Sequence, residues 1–202
     1  MARVGKDTFA KCLSTLFAEA GIKCENVAFA ESLKKDLKKF LLAKSGVNPY
    51  SEEGTEKKLL RPLMVEYGRL MRELTAGQYW IEQITKKVEK NTNNNIISLI
   101  TDVRYANEAS WVNSHQSGTT IHLERNGIEP ANQEEEIHDP QTKELCEYSI
   151  HWRNCPTALQ LNHQVEKYFN VFELSSKFIR PRSDKQNQGS RQARPLPARI
   201  SK

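Results

Sequence analysis

Apolar residues recur with helical spacing from the beginning of the chain. Phe9, Cys12, Leu13, Leu16, Phe17 and Ala20 fall at i, i+3, i+4, i+7, i+8 and i+11, one stripe of an amphipathic helix over residues 7–20, with Gly21 as its stop. A short strand follows over 24–30, with Val27 and Phe29 on one side. A second helix spans 31–44, where Leu33, Leu37, Phe40 and Leu41 make the buried stripe and Lys34, Lys35, Lys38 and Lys39 face water. Gly46, Asn48-Pro49 and Ser51 mark a loop over 45–56.

Pro62 is tolerated in a first helical turn, which predicts that the next helix starts near Leu60 or Arg61. Its apolar face is Leu59, Leu63, Tyr67, Leu70, Met71 and Leu74. A helix over 78–90 carries Tyr79, Trp80, Ile84 and Val88, and 91–95 is a polar break. The run Ile96 to Ile100 reads as a fully buried strand ending at Asp102, which is what a central parallel strand looks like. A helix over 106–114 with Trp111 buried, strands over 119–125 and 146–152, and a closing helix over 158–169 complete the pattern. Between the last two strands, residues 126–141 are polar and turn-rich without periodicity, as in a mobile cover over a site. This order predicts an α/β fold with a mainly parallel sheet flanked by helices.

Charge divides the chain. The net charge is +5, but residues 177–202 hold eight Lys/Arg against Asp184 alone. The body, residues 1–174, is therefore mildly acidic, and 175–202 reads as a basic disordered tail. A nucleic-acid-binding body is not indicated; the tail over 177–202 has the charge for weak nucleic-acid contact, and more often such a tail is a solvated extension. No apolar run approaches a membrane span and no signal peptide opens the chain, so no membrane association and a cytoplasmic location are expected. Cys12, Cys24, Cys146 and Cys155 lack metal or disulfide spacing, and the five histidines show no pairing or clustering with carboxylates.

Candidate chemistry begins at Gly5-Lys6-Asp7-Thr8. These residues match the second half of a phosphate-binding loop running into a helix, where unpaired amides and the helix dipole hold an anion. The first glycine of the full pattern would fall one residue before Met1, and Asp7 stands where a Mg²⁺-binding hydroxyl is usual. An ordinary helix capped through Asp7 or Thr8 explains the tetrapeptide about as well. Arg61, Gly68 and Arg72 recur on one helix face, which suits either a phosphate gripped by two arginines or surface arginines with an incidental glycine. Asp102 and Arg104 leave the end of a predicted central strand, where ligands of open α/β sheets lie.

Three ordered segments carry a resemblance. GKDT at 5–8, RPL…YG from Arg61 to Gly68 with the Tyr79-Trp80 pair, and DVRYANE at 102–108 resemble the deoxynucleoside monophosphate kinases of tailed bacteriophages and some bacteria. The likeness runs from about Gly5 to Phe172. It implies a P-loop kinase fold and ATP- and Mg²⁺-dependent phosphorylation of a deoxynucleoside monophosphate in the cytoplasm, the host's if the chain is phage-encoded. By the same resemblance Gly5, Lys6, Asp7 and Thr8 bind the ATP phosphates, with Thr8 and Asp102 on the Mg²⁺ side and Arg125 closing over ATP. Arg61, Gly68 and Arg72 line the monophosphate pocket, and Tyr67 and Trp80 either pack or flank the base. Lys6, Asp102 and Arg104 serve catalysis, while Glu108 and Trp111 support the loop.

Family members open with a hydrophobic strand and the loop's first glycine, which these residues lack. That implies a fold without its first strand, through a displaced start or a damaged, catalytically impaired copy. Two other readings stay open: a nucleotide- or nucleic-acid-associated protein using its basic tail, and a P-loop kinase for another small phosphorylated acceptor. Whether the chain forms a homodimer is open as well.

Overall fold

The computed structural model describes residues 4–51, 53–152, 158–171 and 174. The basic tail and Cys155 lie outside them. The fold is mixed α/β, mostly helical, with the order α1 (Lys6–Glu19), β1 (Lys23–Val27), α2 (Phe29–Ser45), α3 (Gly54–Thr75), α4 (Gln78–Asn93), β2 (Ile96–Ile100), α5 (Ala106–His115), β3 (Ile121–Arg125), α6 (Gln133–Glu144), β4 (Tyr148–Trp152) and α7 (Ala158–Val171). No helix among the described residues is long and apolar enough to cross a membrane.

Among the described residues the strands form two parallel pairs rather than one continuous sheet. β1 lies beside β2, with Lys23 opposite Ile96 and Val27 opposite Ile100; β3 lies beside β4, with Ile121 opposite Tyr148 and Arg125 opposite Trp152. Between the pairs runs a cavity of about 1500 Å³, walled by Ile96–Ile100 of β2, Ile121–Leu123 of β3, and Phe9, Leu13 and Phe17 of α1. This corrects the expectation that β2 is fully buried. Each of its five residues is only half-buried, because the cavity leaves β2 open toward β3.

Each pair has its own core. Phe9, Leu13 and Phe17 of α1 pack with Leu123, Ile150, Val165 and Phe169, and Phe17 meets Phe169 edge to face at 5.1 Å. Around the other pair, Val27, Phe29, Trp80, Ile81, Ile84, Val88 and Trp111 form a second cluster. Trp80 is 1% exposed, donates its indole N–H to the Gly68 carbonyl at 3.2 Å, and meets Tyr67 and Tyr79 edge to face.

Two helices depart from the sequence expectations. α3 starts at Gly54 and carries Pro62 in its interior, which costs about 3 kcal/mol relative to an ordinary residue. The extra turns persist because Leu60, on their inner face, packs against Leu37 and Leu41 of α2. Residues 133–144, expected as an irregular cover, form α6. Asn132 accepts the Glu135 amide at 2.9 Å, and the Glu135 carboxylate accepts the Ala131 amide at 3.0 Å, so both ends of the cap are satisfied.

Glycine is required at the α3–α4 turn. Ala76 and Gly77 both have positive φ, 50° and 80°, and a Cβ on Gly77 would stand 2.4 Å from Asn107 Nδ2, which donates to the Gly77 carbonyl. Trp80→Ala is expected to cost about 3–5 kcal/mol by cavity formation. Trp80→Phe should cost about 1–2 kcal/mol, for the indole bond to Gly68 and the smaller ring. Urea unfolding of the two variants beside the parent checks both values.

Candidate functional site

α1 begins directly after Gly5, whose φ of 98° and ψ of 23° place it in the left-handed region that glycine adopts without strain. Neither Asp7 nor Thr8 caps the helix; Gly5 is the N-cap, with no side-chain bond, and both residues are exposed in the first turn. Lys6 is half-buried beside Arg104, Glu135 and Asp139. Its ammonium pKa is lowered, first by desolvation and then by the Arg104 charge, against the opposing pull of Glu135 and Asp139.

Arg104 follows β2 in the turn before α5. Its guanidinium meets Glu135 of α6 at 2.8 Å, and its carbonyl accepts the Thr142 hydroxyl at 3.0 Å. Tyr105, the next residue, bonds through its hydroxyl to Glu134. Arg72 reaches the same turn from α3, with its guanidinium 3.8 Å from the centre of the Tyr105 ring and one nitrogen 3.4 Å from Glu108 Oε1. Lys6, Arg72 and Arg104 therefore gather around the β2–α5 turn, with Glu108 behind them and α6 in front.

Two carboxylates hold that turn from below. Glu108 Oε2 accepts the amides of Arg104 at 2.8 Å and Tyr105 at 3.3 Å, and its side chain is 2% exposed. Burial pushes its pKa from 4.5 up to about 7, with Arg72 and the Arg104 amide opposing. Asp102 accepts the amides of Phe29 at 3.1 Å and Ala30 at 2.8 Å, capping α2, whose own N-cap Ala28 supplies no side-chain oxygen. Desolvation raises the Asp102 pKa, and these two amide bonds work against it.

This arrangement revises several sequence-predicted roles. Asp102 lies beside the cations, but both its oxygens are committed to α2, so it does not fit as a direct Mg²⁺ ligand. Trp80 is enclosed in the core and presents no face to a base. Tyr67 and Tyr79 both donate to Asp36, at 3.2 and 2.7 Å, in an aromatic cluster that joins α2, α3 and α4. Gly68 is buried, and the space over it is filled by Leu33 Cδ1 and the Arg72 guanidinium, 3.2 and 3.3 Å from where a Cβ would be. Arg61 is exposed, eleven residues from Arg72 and about 16 Å along the helix. Arg125 closes β3, and its carbonyl accepts the Ile128 amide in the following turn.

Sequence reasoning missed two parts of the site. Glu134 and Glu135 approach Arg104 and Tyr105 only because 133–144 is helical, and the Asn132-x-x-Glu135 spacing was the available signal. His122, buried on β3, lies 3.1 Å from Asp139 and 3.8 Å from Glu124. The two carboxylates that flank it come from its own strand and from α6, which linear spacing had not grouped.

Glu108 has a folded pKa above its unfolded 4.5, so the folded state holds its proton more tightly. Its contribution to stability falls as pH rises from 4.5 to 7 and is level above that. Relative to Glu108→Gln, the parent should lose up to about 3 kcal/mol across this window. Thermal or urea unfolding of both proteins at a series of pH values checks the difference, and a flat difference contradicts it.

Comparisons with known protein families, with curated proteins and with solved structures find no match to this chain.

Proposed function

We propose that the chain is a P-loop-type kinase that transfers the γ-phosphoryl group of ATP to a deoxynucleoside monophosphate. The observation that carries the reading is the approach of Lys6, at a glycine-led helix N-terminus, to Arg104 in the turn after β2, with Arg72 closing the same cluster. The ordered GKDT and DVRYANE segments supply Lys6 and Arg104, and the helix that begins at the RPL segment supplies Arg72.

Phosphoryl transfer asks little covalent chemistry of a protein; it asks for alignment and for positive charge around the moving group. The left-handed Gly5 sets the turn from which α1 begins, with the positive end of the helix dipole suited to a phosphate. Lys6 is poised to meet the terminal phosphates as a point charge, and bound anionic oxygens would restore the proton affinity that burial removes. Arg104, with its planar fork, suits the oxygens of the group in transfer, and Arg72 suits the acceptor phosphate. Mg²⁺ would enter on the nucleotide's own phosphates. Thr8 is exposed on that side, but with Asp102 committed to α2 the described residues offer no complete metal cradle.

The Glu135 carboxylate, 2.8 Å from the Arg104 guanidinium, stands where Arg104 would grip a phosphate. Nucleotide entry requires Glu135 to yield, so α6 acts as a cover hinged on its contacts with Arg104, Tyr105 and His122. This keeps water from the transferred group once the cover closes again.

Coupled measurement of ADP release with ATP, Mg²⁺ and each deoxynucleoside monophosphate tests the reading. Lys6→Ala and Arg104→Ala should each lower kcat/KM by at least about 100-fold, with melting temperatures close to the parent's. Glu135→Gln should tighten ATP binding by about three- to tenfold through loss of the competing charge. Absence of both turnover and ATP binding rejects the kinase, and turnover confined to other phosphorylated acceptors shifts the substrate class. Salt-sensitive DNA binding lost on deletion of 177–202, without kinase activity, supports the nucleic-acid-associated alternative instead.

A further inference from the structure

α3 exposes an apolar stripe. Its sequence pattern predicts that Leu59, Leu63, Leu70 and Leu74 face inward with Tyr67 and Met71, but the structure divides them. Leu60, Met64, Tyr67 and Met71 pack toward α2 and α4, whereas the four leucines are 70%, 40%, 47% and 70% exposed. At about 100° per residue, the four lie within roughly 60° of arc, forming one continuous stripe along a 22-residue helix. An exposed row of this length on an ordered surface helix marks a contact face.

The spacing of the row identifies its partner. Leu59 and Leu74, and likewise Leu63 and Leu70, are placed symmetrically about the point between Glu66 and Tyr67. A helix with this symmetry is complementary to a copy of itself turned end for end, as a two-fold interface demands. In such a pair Leu59 meets Leu74 of the second copy and Leu63 meets Leu70, in both halves.

The charges beside the stripe fit the same register. On one flank stand Lys58, Glu66, Arg69 and Glu73, all exposed. Antiparallel pairing sets Lys58 against Glu73 of the copy, and Arg69 against its Glu66. The two Glu66 side chains approach one another near the axis, where each is already neutralised by its own Arg69, at 2.8 Å. A parallel two-fold pairing would bring opposite flanks of the helix together and so would not set Lys58 against Glu73 or Arg69 against Glu66.

We infer that α3 is a homodimerisation helix that pairs antiparallel with α3 of a second copy through Leu59, Leu63, Leu70 and Leu74. The inference is independent of the kinase reading. The helix spans about 33 Å, and one helix pair gives a modest interface, so a dissociation constant of roughly 1–100 µM is expected. The opposite face of α3 carries Gly68 and Arg72, so dimerisation would stiffen the element that presents Arg72 while leaving it uncovered.

Sedimentation of the full chain across micromolar concentrations should show a monomer–dimer equilibrium. Leu63→Glu combined with Leu70→Glu should shift that equilibrium toward monomer by at least tenfold. Both positions are exposed, so circular dichroism and the melting temperature should stay at the parent values. Register is tested by a chain carrying both Leu59→Cys and Leu74→Cys. Within one chain these positions are about 22 Å apart, beyond the reach of a disulfide, so mild oxidation should give a covalent dimer whose peptide map links position 59 to position 74. A parent that stays monomeric, a dimer that survives the Glu substitutions, or links joining 59 to 59 would each overturn the proposal.

Discussion

The grip of two carboxylates near the end of β2, the buried Glu108 and the half-buried Asp102, on backbone amides of the β2–α5 turn and of α2 is the constraint on which the site depends. Glu108 folds back onto the amides of Arg104 and Tyr105, and Asp102 reaches across to the first amides of α2. Neither carboxylate is simply half of an ion pair. Each satisfies helix-terminal or turn donors that would otherwise be buried without partners, a loss of about 1–3 kcal/mol per group. Because these bonds fix the backbone, the Arg104 side chain leaves the turn in a defined direction, and Arg72 can settle between Glu108 and the Tyr105 ring.

Electrostatic balance follows from that framework. Lys6 carries a lowered pKa, first because burial strips water from its ammonium and then because the Arg104 charge opposes it. Glu108 pairs with Arg72 behind the cluster and Glu135 with Arg104 in front of it. The two carboxylates are not equivalent. Glu108 is tied to backbone amides and is part of the scaffold, whereas Glu135 belongs to α6, which is attached by a handful of side-chain bonds and has little apolar surface of its own. A ligand bearing phosphates would compete with the second and leave the first in place.

The open space between the two strand pairs sets the other limit on the architecture. Among the described residues β2 and β3 each have a partner on one side only, and the apolar side chains of α1 line the gap between them. The β1–β2 pair contributes to both hydrophobic clusters, with Cys24, Ile97 and Leu99 against one and Val27 and Ile100 in the other. Lys6 and Asp139 border the cavity, so the cation cluster stands at one of its margins.

Much of the secondary structure was legible because helical stripes and short apolar runs are local signals. The stripe from Phe9 to Phe17, the β2 run and the Trp80 helix needed only local pattern to be placed. Tertiary packing decided what periodicity leaves degenerate. A leucine at helical spacing is apolar in either direction, so only contact with α2 and α4 could separate the inward Leu60 and Met64 from the outward Leu59, Leu63, Leu70 and Leu74. α6 is too polar to show a stripe and is held by side chains distant in sequence, which is why its charges read as a loop. Asp102 illustrates the same limit. Its residue type and place after a strand were apparent along the chain, but only the three-dimensional approach of α2, whose first turn lacks a cap of its own, determined where its two oxygens are spent.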